Sequence, residues 1–153
     1  MVSRRVLFAF FNLALPAVDF SGSWAMVVAK SDFAGAHPPQ SLTMTVRHTK
    51  TQLAVESKLV DARGSSTNSY TLDLSGKEAE NMIRGSKVVS TSAWRGPMLH
   101  VRAKTLVQDA EIKIVDQWQL EEGGRVLTIY RTSTTPNGDS EQRFVYVNTL
   151  PKP

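Results

Sequence analysis

The sequence predicts an all-β chain: one single antiparallel up-and-down meander barrel of about 8–10 strands, with a two-sheet meander sandwich as the alternative. Three observations predict it. From Ser41 onward, strand-like runs bounded by turn residues recur about every 12 residues. Each run has one apolar and one polar face at a period of two. When hairpins are closed on their turn residues, the apolar face of each run meets that of the next. One wet and one apolar face on every strand means a sheet wrapped around one core. Closing the sheet removes its exposed edges.

Taken in order, the chain opens on Arg4-Arg5, an apolar run over 6–15 broken only by Asn12, and Leu15-Pro16-Ala17. Charged, apolar, small is the order of a secretory signal. The apolar run is too short to span a bilayer. Residues 1–17 are therefore expected to be a signal peptide and 18–153 the barrel domain, secreted or periplasmic. Cleavage removes two arginines and no carboxylate, so the net charge of +4 falls to +2. No Lys/Arg cluster with interleaved aromatics is present, so no nucleic-acid partner is expected. The 153 residues are 41% hydrophobic and 21% charged, enough for one real core, and there is no cysteine to build a disulfide framework or a thiolate metal site.

The first strand, 22–29, alternates around Trp24, Met26 and Val28. Residues 30–40, with Gly35, Pro38 and Pro39, read as a long loop that leaves His37 in solvent. Further strands are expected at 41–48, 51–60, 66–74, 87–95, 98–107, 111–121, 125–134 and 140–148. Residues 75–86 are irregular, with room for one short strand or a helical turn.

Register is the sharper test, because a slip by one residue turns every side chain to the wrong face. A turn at Gly123-Gly124 pairs Leu120 with Leu127, Trp118 with Ile129 and Asp116 with Arg131. A turn at Gln108-Asp109 pairs Leu99 with Trp118 and Val101 with Asp116. Gly96-Pro97 pairs Trp94 with Leu99. A Thr49-Lys50 turn would pair Val46 with Leu53 and Met44 with Val55; a turn from Asp61 pairs Val55 with Tyr70. The opposite faces carry Thr43, Thr45, Arg47, His100, Arg102, Lys113 and Gln117.

Gly22-Ser23-Trp24 on the first strand, followed by a hairpin meander, resembles the calycin superfamily, of which lipocalins are the best-known members. More narrowly, Asp19-Phe20-Ser21-Gly22-Ser23-Trp24, Lys30-Ser31-Asp32-Phe33, Asp116-Gln117-Trp118-Gln119-Leu120 and Leu127-Thr128-Ile129-Tyr130-Arg131 resemble a group of secreted bacterial lipocalin-like β-barrel proteins of unassigned function. The resemblance implies a barrel that binds a small apolar molecule in its mouth. It also implies a first-strand tryptophan, here Trp24, packed under a late-strand arginine, here Arg131 or Arg143. The chain departs from the lipocalin pattern in strand count, in having no disulfide and in having no clear C-terminal helix.

The inward face is not wholly apolar. Ser92 shares it with Trp94, and Tyr70, Trp118, Asp116 and Arg131 face the same interior. Apolar walls with a few polar groups suit a small ligand, so Trp94, Trp118, Asp116, Arg131, Tyr70 and Ser92 are the candidate ligand-binding residues. Aromatics of this size also suffice to fill a small barrel. Asp116 opposite Arg131 reads either as an ion pair that orients a polar ligand group or as a structural closure. Catalytic residues are not assigned. There is no Gly-x-Ser-x-Gly elbow and no phosphate loop, and His37, His48 and His100 are scattered. No cofactor or metal is expected. The first functional expectation is a binding module for a small, mostly apolar ligand, monomeric or weakly dimeric, with no stable membrane insertion once the signal is removed. The second is a filled interaction or inhibitor protein of the envelope. The third is a barrel isomerase or cyclase using Asp116 and Arg131.

Overall fold

The computed structural model describes residues 17–149. The expected signal peptide thus lies outside the described residues except for Ala17. Ten strands follow: β1 (Gly22–Met26), β2 (Ser41–His48), β3 (Gln52–Asp61), β4 (Gly64–Asp73), β5 (Ala79–Ile83), β6 (Ser86–Arg95), β7 (Met98–Val107), β8 (Ala110–Glu121), β9 (Val126–Thr135) and β10 (Gly138–Asn148). They form one antiparallel sheet in the order β4-β3-β2-β1-β10-β9-β8-β7-β6-β5. Sequential neighbours pair except β4 with β5, β1 also pairs with β10, and the result is a nearly closed up-and-down barrel.

The irregular stretch 75–86 holds β5, which makes the count ten. The first strand is shorter than expected. It ends at Met26, and a 3-10 turn at Val28–Lys30 follows. Registers through β6 to β9 match the turn-based pairing, including Trp94 with Leu99, Leu99 with Trp118, Asp116 with Arg131 and Leu120 with Leu127. Val55 faces Tyr70 as expected. The β2–β3 hairpin differs: Val46 pairs with Val55, and Met44 with Ser57. The turn centres on Lys50-Thr51, because the Thr49 amide donates to the Gln52 carbonyl at 2.8 Å and the Gln52 amide donates to Thr49 Oγ1 at 3.2 Å. Each residue's partner moves by two positions, so every side chain keeps its face.

Two hairpin turns, Arg84-Gly85 and Gln108-Asp109, place both central residues at positive φ. That is the twist which matches right-handed strands. Gly22 is needed for space as well as for its φ of 148°: a Cβ there would stand 3.0 Å from Asn148 Nδ2. This is why a glycine precedes the tryptophan by two residues.

β4 and β5 share no ladder, and this is where the barrel falls short of closure. Asn81 spans the gap. Its Oδ1 accepts the Thr71 amide at 3.0 Å and its Nδ2 donates to the Thr71 carbonyl at 2.9 Å. The side-chain amide thus stands in for a backbone pair at the one seam.

The core runs along the barrel interior: Trp24, Met44, Val46, Leu53, Leu99, Trp118, Leu127, Ile129 and Tyr146 are all buried. Among the described residues no helix is long and apolar enough to cross a membrane.

Candidate functional site

One end of the barrel is plugged. Phe20, just before β1, is fully buried, and Trp24 is 1% exposed. The Trp24 indole N–H donates to the Phe20 carbonyl at 3.0 Å. The Phe20 ring lies edge-on to Trp118 at 5.6 Å and stacks on Trp94 at 5.9 Å and His48 at 5.8 Å. His48 Nδ1 accepts the Phe20 amide at 3.1 Å, which fixes the aromatic stack to the backbone.

The segment 27–40 follows β1 on the side away from the plug. It is stitched to β10: Val27 and Asp32 donate to the Val145 and Arg143 carbonyls, both at 2.7 Å, and Ser31 Oγ accepts the Val145 amide at 3.0 Å. Phe33 tilts against Phe144 with ring centres 5.9 Å apart. Phe33 and Pro39 thereby become part of the interior wall, while His37 is exposed as expected.

Beyond the plug the barrel is hollow, with a partly open cavity of about 640 Å³. Its wall is mostly apolar, with Met26, Leu42, Met44, Leu59, Leu72, Ile114, Trp118 and Ile129 among its residues. The polar groups come from Ser57, Asn68, Ser90 and Thr105, from Asn81, Arg84 and Ser86 around the turn between β5 and β6, and from a cluster of Tyr70, Asp116, Arg131 and Tyr146.

The cluster is built by register. β8 and β9 set Asp116 directly opposite Arg131, and both parities point inward. The guanidinium forks onto the carboxylate, Nε to Oδ1 and Nη2 to Oδ2, each at 2.8 Å. This is the geometry of a strong charge-assisted pair. The Arg131 side chain is 34% exposed and that of Asp116 13%. Since Arg131 points inward, the exposed part faces the cavity rather than bulk water. Its other side stacks over Phe144, 5.4 Å from the ring centre. Burial pulls the Arg131 guanidinium down, but the charge and hydrogen bonds of Asp116 outweigh it, so the cation is held more firmly than usual. Burial first, and the Asp116 charge second, push the Tyr70 phenol far up. Burial likewise pushes up Tyr146. Both phenols therefore keep their protons and remain hydrogen-bond donors.

Of the sequence candidates, the structure gathers Tyr70, Asp116, Trp118 and Arg131 on one cavity. Trp94 and Ser92 are not in its wall. Trp94 is 39% exposed at the plugged end, against Phe20 and His48. Ser92 is buried near it on the same strand, its Oγ without a hydrogen-bond partner among the described residues. Strand parity sets the face of both, and strand stagger sets their height beside the plug. Among the described residues no cation–π contact joins Trp24 to either candidate arginine. Arg131 holds Asp116 and Phe144, and Arg143 reaches the Lys30 carbonyl with Nη2 at 3.3 Å. Two further wall residues are Tyr146, set inward opposite Leu127 by the β9–β10 hairpin, and Phe33, which reaches the cavity through contacts with β10 distant in sequence. His100 lies outward as expected but is buried, not solvated. Burial, then the charges of Arg95 and Arg102, hold its imidazole below the ordinary range. Among the described residues no group of three metal-ligating side chains occurs.

No protein-family model and no curated protein sequence matches this chain. Solved structures match its fold. Zebrafish ileal bile acid-binding protein, complexed with cholic acid, superposes with a TM-score of 0.60 at 13% identity, covering 85% of this chain and 98% of that one. A secretory abundant heat soluble protein from Ramazzottius varieornatus gives 0.55 at 12% identity over 84% of this chain and 94% of that one. A point mutant of the fluorescent protein UnaG gives 0.53 at 15% identity, with coverages of 86% and 97%. At these identities the likeness is one of fold, and the fold is a calycin-like up-and-down barrel.

Proposed function

We propose that this chain is an exported barrel that binds one small, mostly apolar ligand in its interior. The observation that carries the reading is the cavity of about 640 Å³. It lies within the roughly 300–1,000 Å³ span of small-molecule pockets, and few polar groups converge in it. The same volume weighs against a filled interaction barrel. Tyr70, Asp116, Trp118 and Arg131 are the ligand-facing residues of this proposal. A structurally similar barrel, the zebrafish protein, is one described as bile acid-binding, which is in keeping with an apolar guest. No catalytic role is proposed, because both Asp116 oxygens are engaged by Arg131. The outer faces of the strands are largely polar, unlike the apolar band of a membrane barrel, so the chain is taken as a monomer or weak dimer outside the bilayer. The test is titration with the neutral dye Nile red. Saturable binding at one dye per chain, with a change in Trp118 emission, is expected. No saturable change would remove the proposal.

Export rests on the charged, apolar, small order of residues 1–17. Protein recovered from its native host should begin at or near Val18. A mature chain still starting at Met1 would contradict export by this signal.

A further inference from the structure

Resting on the ligand-binding reading above, we infer that the ligand's polar end is uncharged: the cavity takes an apolar molecule carrying a hydroxyl or carbonyl, in preference to its carboxylate counterpart. The polar cluster is already balanced. Asp116 and Arg131 neutralise each other through a two-pronged contact at 2.8 Å on each prong. Tyr70 and Tyr146 stand beside them as neutral phenols in the same wall.

At the cluster the pair leaves hydrogen-bonding capacity but no net charge; the other charged group in the wall, Arg84, stands on the exposed turn between β5 and β6. A guanidinium has five N–H donors. The Asp116 fork uses one on Nε and one on Nη2, and among the described residues the guanidinium makes no other hydrogen bond to protein. Three donors remain on a side chain whose exposed third faces the cavity. A carbonyl or hydroxyl oxygen can accept from them without disturbing the pair.

A carboxylate meets a different environment. At this cluster it would bring a second anion up to a cation that already holds one, in a mostly apolar cavity that screens less than bulk water. Two carboxylates sharing one site disfavour each other's ionised form. An acid must therefore compete with Asp116 for Arg131 or take up a proton, and one pKa unit of such adjustment is worth about tenfold in affinity. Removing the Asp116 charge reverses the balance: Arg131 becomes an unpaired buried cation, and an anionic ligand then supplies the missing partner.

The experiment is displacement of Nile red from the full chain by 1-decanol and by decanoate, at a pH where the acid is ionised. In the wild type 1-decanol should bind about tenfold more tightly than decanoate, and in Asp116→Asn the order should reverse. Decanoate binding the wild type as tightly as 1-decanol overturns the inference. So does an Asp116→Asn protein that folds and keeps the wild-type preference. If that variant does not fold, the wild-type comparison alone decides between the two outcomes. Failure of Nile red itself to bind saturably is separate, and it sinks the cavity proposal on which this one stands.

Discussion

Replacing Trp24 by alanine should destabilise the protein by about 3–5 kcal/mol, the usual cost of truncating a large buried aromatic. The indole is 1% exposed in the plugged end and joins a core that continues into Trp118 and Leu127. Its N–H also holds the Phe20 carbonyl, so alanine removes volume and leaves that buried carbonyl without its partner. Trp24→Phe keeps most of the volume and loses only the donor. Its cost should be nearer the about 1–3 kcal/mol of an unsatisfied buried polar group. Denaturant midpoints for the two variants check this. A midpoint unmoved by Trp24→Ala would show that the plug does not depend on Trp24.

The next largest effect is expected at Asp116 and Arg131. Asp116→Asn or Arg131→Gln alone strands the surviving charge beside a low-dielectric wall. Breaking a buried pair this way costs about 3–5 kcal/mol. The exposed third of Arg131 faces the cavity, where solvent offsets part of the penalty, so the lower end of that range is expected. The double variant removes both charges and should lose less than the two single losses together. The coupling energy of a double-mutant cycle should fall within about 0.5–3 kcal/mol. Strictly additive losses would mean that the pair contributes no mutual stabilisation.

The sequence carried register well because register is local. Gly123-Gly124, Gln108-Asp109 and Gly96-Pro97 each set a hairpin, and period-two faces then place Asp116 against Arg131 without further information. A turn centre was harder. At 49–52 the Thr49 hydroxyl favours closure on Gln52, and no composition cue separates that from closure one residue earlier. β5 escaped because it is only five residues long and its outer edge is finished by one side chain, Asn81, rather than by a ladder. Height along the barrel was not legible either. Trp94 and Trp118 share the inward parity, yet one ends beside the plug and the other in the cavity wall. That difference depends on strand tilt and stagger, which belong to the closed barrel rather than to any one hairpin. Phe20 precedes the first strand, so periodicity has nothing to say about it. Phe33 reaches the cavity through bonds between 27–33 and β10, over a hundred residues away in the chain.

The central claim is that the interior is a hollow, ligand-sized space bounded by inward side chains. Ala103 lies in that wall, opposite Ser90 on β6 and Ile114 on β8. The most direct measurement is Nile red binding to the wild type and to Ala103→Trp, with thermal unfolding of both. An indole at 103 should occupy the cavity, abolish one-to-one dye binding and leave a cooperative melt. Equal dye binding by two folded proteins would place the dye outside the barrel and contradict the account.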